Sequence, residues 1–394
     1  MLNEATLQFI RNHRLDDVRK LALHAQSLAS PEVDVLAAFT QIEGRQSAEN
    51  KLPTWFQSDD IIYPAALSME QCSSEQTARY KASLLSGNAF VDLTGGFGVD
   101  FAFIAPKFNE TYYVEKQTAL CELAAHNFKV LGLNPIKIEN ADAIEYLKKM
   151  APVDAIFMDP ARRSDTGKKV VAIENCEPDL SAIQNLLLEK AESVLIKLSP
   201  MLDISQALQV LKNVAEVHVV SLDNECKELL FLLKRNFNQE TNIICINLNK
   251  KGERQEISFL QSQEKEWRIE YTSQVENYLY EPNVSILKAG FFKGLTGSYP
   301  IRKFHPDSHL YTSKIFVPDF PGRSFQVETC SSFNKKDLKN LLCGMDKANL
   351  AIRNFPLSVA ELRKKLKLKE GGEDYLFATT LANGKHVIVK GRRT

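Results

Sequence analysis

The residues of this 394-residue chain best suited to chemistry fall in two short runs. In the first, DLTGGFGVD from Asp92 to Asp100, Gly95, Gly96 and Gly98 follow an apolar stretch. Glycines there let the backbone turn tightly from strand to helix and approach a ligand that a Cβ would hold off. Glu115 comes 23 residues after Asp92, the offset at which an acidic side chain ending the next strand grips the two hydroxyls of an adenosine ribose. A turn made for packing and a surface glutamate are the plain alternatives, and the two features together say more than either alone. A dinucleotide reading fails at Phe101, which stands where the third glycine of GxGxxG belongs. The second run, Asp159, Pro160, Ala161 and Arg162, closes another apolar stretch. Asp159 is able to accept an N–H from an amine whose lone pair is delocalised into a ring, while a turn fixed by Pro160 aims a backbone carbonyl at the same group. An aspartate capping a loop is the alternative.

Other chemistries find little support. The seven cysteines (Cys72, Cys121, Cys176, Cys226, Cys245, Cys330, Cys343) are scattered, odd in number and free of any CxxC pair, so they read as reduced thiols. Covalent attack by a cysteine would need a thiol at the sheet's carboxyl edge, but the strand exit IKLSPMLD offers Ser199 and Pro200, and Cys176, nearest in sequence, reads as a packed thiol. His305, Asp307 and His309 have metal-like spacing, yet in such a loop they read as hydrogen-bonding residues, and no metal is expected.

The elements that must position these residues follow from periodicity. Residues 4–86 carry apolar positions at helical spacing, with Ser30 before Pro31 as a helix start. From Ala89, five short apolar runs alternate with helical stretches, which predicts a doubly wound α/β fold around a parallel sheet. EVHVVSL and ELLFLLK are separated only by DNECK, too short for a helical crossover, so those strands should pair antiparallel. KKGERQEISFL and WRIEY read as strands that extend the sheet or form a hairpin, and residues 297–321 as connections. From Gly322, strand, helix, strand, helix and a hairpin turning at Asn383 and Gly384 predict a small α+β layer.

Composition bounds the class. With 44% hydrophobic and 25% charged residues, 17 Gly and 15 Pro, the chain is neither collagen-like nor disordered. Basic and acidic residues both number 49, so whole-chain charge points to no partner, but residues 323–394 hold 15 basic against 7 acidic and look like a basic module. Charges interrupt every apolar run well before 18 residues, and the N-terminus lacks a signal-peptide core. Neither a membrane span nor secretion is expected, and a cytoplasmic location is.

Taken in order, DLTGGFG, the acidic Glu115, NADA around Asp142 and MDPARR resemble the successive motifs of class I S-adenosylmethionine-dependent methyltransferases over roughly residues 70–250. The resemblance implies a Rossmann-like sheet of seven strands with the last antiparallel, and S-adenosylmethionine as cofactor. On it, Gly95, Gly96 and Gly98 line the methionine moiety near Asp92, Glu115 holds the ribose and Asp142 binds the adenine amine. SSEQTARYKA resembles the stretch before the glycine loop in trimethylguanosine-synthase-like RNA methyltransferases, with Ser73 in place of their threonine; a helix N-cap followed by Glu75 is the alternative. Asp159 to Arg162 match in part the tetrad of amino-methyltransferases acting on planar nitrogens. Arg162 and Arg163 replace its base-stacking aromatic, which suits phosphate instead, and residues 164–169 form either a closing loop or a solvated one.

The tail NLAIRNFPLSVAELRKKLKL with GGEDYLFATTL looks like the THUMP-like C-terminal domain of a bacterial group of these enzymes that also carries a ferredoxin-like segment. THUMP domains accompany RNA-modifying enzymes, so the resemblance implies tRNA or rRNA as partner. Arg353, Arg363, Lys364, Lys365, Lys367, Lys369, Lys390, Arg392 and Arg393 would then contact phosphate, unless the lysines merely form a solvated helix face. The expected division is a helical region over 1–86, the methyltransferase domain over 87–275, a ferredoxin-like connecting segment over 276–321 and the THUMP-like domain over 322–394. The expected activity is methylation of a base nitrogen in a structured RNA, with guanine N2 as the named candidate. The same chemistry on a small molecule or protein, and a noncatalytic RNA-binding protein on the same scaffold, stay open as alternatives. The oligomeric state is not legible.

Overall fold

A computed structural model of the chain describes residues 2–24, 30–133, 135–162, 173 and 176–394. They divide into two units, one formed by Met1–Val217 with Glu228–Gln239 and the other by His218–Lys227 with Glu240–Thr394.

Helices α1 (Glu4–His13), α2 (Val35–Lys51) and α3 (Glu75–Leu84) belong to the helical N-terminal part of the first unit. The start of α2 differs from expectation. Asp34 accepts the Ala37 N–H at 3.0 Å and caps it at Val35, while Ser30 and Pro31 enter a turn whose Glu32 N–H reaches Ser30 Oγ at 3.4 Å. Gly44, inside α2, is where the Tyr63 side chain packs, its Cβ 2.4 Å and its ring Cγ 2.8 Å from the position a Cβ would take.

The large sheet comprises β1 (Ala89–Asp92), β2 (Glu110–Glu115), β3 (Lys137–Asn140), β4 (Val153–Met158), β5 (Ala191–Leu198), β6 (Val214–Leu222), β7 (Glu225–Lys234), β8 (Asn242–Leu248) and β9 (Arg254–Leu260). Their order is β3-β2-β1-β4-β5-β7-β6-β8-β9. Strands β1 to β5 run parallel, because each is joined to the next through a crossover containing α4 (Val99–Ile104), α5 (Thr118–Val130), α6 (Ala143–Lys149) or α7 (Leu180–Lys190). Strand β7 lies antiparallel to β5, and the two-residue turn before it holds Asp223 and Asn224 at φ 50° and 63°, as a primed hairpin turn requires. The seven-strand order with one reversed strand is that of the class I methyltransferase sheet, and β8 and β9 extend it. WRIEY is not a strand. Gln261–Glu266 is a short helix whose start is held by the Gln263 side chain on the Leu260 N–H, and the chain after it is extended with one isolated bridge, Tyr271 to Lys303.

The second unit holds a seven-stranded sheet of β10 (Tyr278–Pro282), β11 (Arg302–Lys303), β12 (Tyr311–Ser313), β13 (Gly322–Ser332), β14 (Asn349–Arg353), β15 (Tyr375–Thr380) and β16 (His386–Arg393). The order β11-β12-β10-β13-β16-β15-β14 makes it one sheet, larger than the expected small layer, since β13 pairs antiparallel with both β10 and β16. Helices α8 (Lys335–Leu341) and α9 (Val359–Leu366) bury Leu338, Leu341, Leu362 and Leu366 in one core cluster, and Leu279, Phe304, Phe325, Phe377 and Val389 form another. Among the described residues no helix is long and apolar enough to cross a membrane.

Candidate functional site

The strand order reverses about β1, and beyond the carboxyl ends of β1, β2, β4 and β5 lies a cavity of about 720 Å³. Ser73, Asp92, Gly95, Gly96, Gly98, Glu115, Asp142 and Asp159 all line it. Pro160 does not. Pro160 is buried behind the strand end, and the Arg162 backbone pairs with Cys176 in a short ribbon, Ala161–Arg162 against Cys176–Glu177. The Arg162 side chain, Arg163 and residues 164–169 lie outside the described residues.

The three glycines are glycine for different reasons. A Cβ on Gly95 would stand 2.2 Å from the Tyr113 ring, and one on Gly98, at φ +85°, 2.7 Å from the Phe128 ring, so both make room for aromatic packing beneath the turn. At Gly96 the φ of +56° is the constraint, and the nearest atom to a Cβ is the Thr94 carbonyl oxygen at 3.7 Å. The Gly96 N–H donates to Glu115 Oε2 at 2.9 Å and the Gln117 N–H to Oε1 at 2.8 Å, which fixes the carboxylate while leaving each oxygen a lone pair.

Asp92 is buried, and its Oδ1 accepts the Thr94 N–H at 2.9 Å. Burial first, then the charges of Asp100, Asp159 and Glu115, push its carboxyl well above the usual range, against the Thr94 hydrogen bond. Thr94 Oγ1 accepts the Asp159 N–H at 2.6 Å, tying the β4 exit to the glycine turn. Asp142 caps α6 by accepting the Ile144 and Glu145 N–H groups at 2.9 and 3.1 Å through one oxygen. Ser73 is not the cap of α3. Ser74 takes that place, and Ser73 Oγ instead donates to Asp100 Oδ2 at 2.8 Å and accepts from Lys81 Nζ at 3.1 Å.

Sequence reasoning missed the charges behind this wall. Lys197 Nζ lies 2.5 Å from Asp159 Oδ2 and 3.9 Å from Asp100 Oδ2. Burial works against the Lys197 charge, but Asp159, Asp100 and Glu228 outweigh it and hold the ammonium above its ordinary range. Lys81, fully buried, donates to both oxygens of Glu228 at 2.6 and 2.7 Å. The signal for Lys197 was a lone charge inside an apolar strand, SVLIKLS, whereas Glu228, next to Lys227 at the start of an apolar run, and Lys81 on a helix carried none. Cys72 also lines the cavity; burial raises its thiol pKa and Sγ donates to the Met69 carbonyl, which keeps it a thiol and a poor nucleophile.

In the second unit the basic residues separate into two groups. Arg353 pairs with Glu281 at 2.6 Å, Lys390 with Glu328 and Asp374 at 3.0 and 3.1 Å, and Arg392 with Glu328 at 3.0 Å, so these three, expected to contact phosphate, are engaged by carboxylates of their own sheet. Arg363 donates to the Ala348 carbonyl at 3.2 Å. Lys364, Lys365, Lys367 and Lys369 stand exposed on α9 and the residues after it, and Arg393 is exposed at the end of β16. His305 Nδ1 accepts the Asp307 N–H at 3.2 Å and His309 stacks on Phe292 at 3.8 Å between ring centroids.

A domain family described as THUMP domain-like matches residues 322–393, and one described as a ferredoxin-like domain matches 278–321. The crystal structure of a candidate methyltransferase from Porphyromonas gingivalis W83 is 36% identical, covers 99% of this chain and 98% of its own, and superposes with a TM-score of 0.88. The chain belongs to the class I methyltransferase family that carries ferredoxin-like and THUMP-like domains. No curated protein matches it. An rRNA methylase from Streptococcus thermophilus is 17% identical with a TM-score of 0.31, over 40% of this chain and 94% of its own. SMU.1697c of Streptococcus mutans, in complex with SAH, is 13% identical with a TM-score of 0.31, over 41% and 96%. Membership of the methyltransferase family therefore rests on the Porphyromonas relative and the two domain matches, and in this methyltransferase fold the cavity occupies the crevice where such sheets take ligands.

Proposed function

We propose that the chain transfers a methyl group from S-adenosylmethionine to a base nitrogen of a structured RNA. The observation that carries the reading is the placement of Asp159 in the same cavity as the glycine turn and Glu115. The residues fit the cofactor. Gly96 presents open backbone, Glu115 is fixed by two backbone N–H groups to receive the ribose, Asp142 stands at the head of α6 for the adenine, and Asp92 lies beside the glycine turn where the methionine end would rest. When bound, the cofactor supplies a methyl group already activated on a sulfonium. Asp159 then accepts an N–H of the target and aligns its nitrogen. With the cofactor held by the glycine turn, Glu115 and Asp142, this alignment would direct the nitrogen at the activated methyl group, and the proton it gives up would pass to solvent.

RNA is supported by the THUMP-like match and by the exposed lysines of α9. In this reading residues 87–275 do the chemistry, guanine N2 is the first target to test, and 276–394 bind the RNA. Calorimetry on the full chain tests the cofactor: saturable binding of S-adenosylmethionine, weakened by Glu115→Ala and by Asp142→Ala, is expected, and preference for NAD overturns the reading. Asp159→Ala is expected to keep cofactor binding and to abolish methylation of RNA from a strain lacking the protein.

A further inference from the structure

Asp159 does not enter the cavity alone. The parallel register of β4 and β5 pairs Met158 with Ile196, so the next residue of each strand, Asp159 and Lys197, emerge side by side. Lys197 Nζ meets Asp159 Oδ2 at 2.5 Å. Behind it Asp100, from the first turn of α4, stands 3.9 Å from the same ammonium and is held by Ser73. Behind Asp100 comes Lys81 of α3, locked to Glu228 of β7. Side-chain exposure falls along this chain from 39% at Asp159 to 12% at Lys197 and 0% at Lys81.

We propose that Lys197 is the positioning residue for Asp159: it engages one carboxylate oxygen from behind, so that the other faces the cavity as a fixed, charged acceptor for the target N–H. The inference rests on the methyltransferase reading above. An exposed ion pair in a single geometry is ordinarily short-lived and weak, but here the lysine is buried and constrained by a second carboxylate, so the pair is preorganised. Lys197 is not a general base, since the carboxylates around it hold it as ammonium. Its other plain role, filling space at the strand end, predicts a different pattern of mutant effects.

Two arms test it on the full chain. The first needs no substrate: acylation of Lys197 by an amine-reactive reagent, followed by peptide mass spectrometry, is expected to speed up by about 10-fold in Asp159→Asn, because removing the paired charge frees the amine. An unchanged rate overturns the pairing. The second measures methyl transfer to RNA from a strain lacking the protein. Lys197→Met is expected to lower kcat by about 100-fold while the Kd for S-adenosylmethionine stays put, with Lys197→Arg recovering part of the rate. In an Asp159→Asn background Lys197→Met should cost nothing further, as for a residue that acts only through its partner. Additive losses, or a full rate in Lys197→Met, overturn the positioning role. If the wild type binds no S-adenosylmethionine while acylation still responds to Asp159→Asn, the methyltransferase reading fails and the positioning role goes with it, but the pair itself stands.

Discussion

At the scale of single residues, the glycine turn shows how one residue type serves separate physical ends. Gly98 combines a left-handed φ of +85° with an aromatic ring 2.7 Å from where a Cβ would sit, whereas Gly132 shares the left-handed conformation, at φ +72°, with nothing within 4 Å. A Cβ at Gly132 therefore incurs only the backbone cost of about 1 kcal/mol, while at Gly98 the Phe128 ring must also move. Gly98→Ala is expected to lose about 2–4 kcal/mol in urea unfolding and to weaken S-adenosylmethionine binding, and Gly132→Ala about 1 kcal/mol with binding intact. Equal losses at the two sites would show that the ring beneath the turn yields freely. The turn was legible from the sequence because Gly95, Gly96 and Gly98 are close together in the chain; the aromatic rings that demand two of them were not.

At the scale of elements, β11 carries a lysine that is costly to bury. Lys303 is 1% exposed and its Nζ donates to the carbonyls of His305 and Pro306, both at 2.5 Å, with no carboxylate in salt-bridge contact among the described residues. Burial lowers its pKa from 10.5 to about 8, with Asp307 and Glu264 offsetting only part. The unfolded chain then binds a proton between about pH 8 and 10.5 that the folded chain does not, so this residue's contribution to stability improves as pH rises through that window. Denaturant midpoints taken across it are expected to rise more in the wild type than in Lys303→Met. A parallel response in both proteins would mean that the ammonium is better solvated than its burial suggests. Sequence periodicity reads 297–321 as connections because β11 and β12 are only two and three residues long, too short for an alternating pattern to register.

At the scale of the whole molecule, the domain matches and the sheets divide the chain differently. The ferredoxin-like and THUMP-like matches meet between residues 321 and 322, yet β13, just after that boundary, pairs with β10 before it and with β16 near the end of the chain. Deleting residues 322–394 would strip β10 of this partner and uncover Leu279, which is 0% exposed and clusters with Phe325, Phe377 and Val389. Such a truncation is expected to aggregate, and it would report on folding rather than on RNA. Replacing Lys364, Lys367 and Lys369 together by alanine, and keeping Lys365, whose Nζ packs 4.5 Å from the Phe333 ring centroid, leaves the buried face of α9 untouched and is the cleaner probe. It should keep the unfolding midpoint while lowering RNA affinity, with the slope of log K against log salt reduced by about 1 for each phosphate that the lysines no longer neutralise. An unchanged slope would remove α9 from the RNA surface.

The sequence by itself determined what depends on neighbours along the chain: the alternation of strand and helix, the reversal before β7, the glycine turn, and the acidic residues at strand ends. These are local because propensity, turn geometry and apolar period are set within a few residues. Arg353, Lys390 and Arg392 look alike in sequence to the exposed lysines of α9, and only their carboxylate partners across the sheet set them apart. Tertiary structure alone decided which charges meet. Asp159 and Lys197 are 38 residues apart in sequence and Lys81 and Glu228 are 147 apart, and their contacts follow from strand register and helix docking, which only the folded sheet fixes.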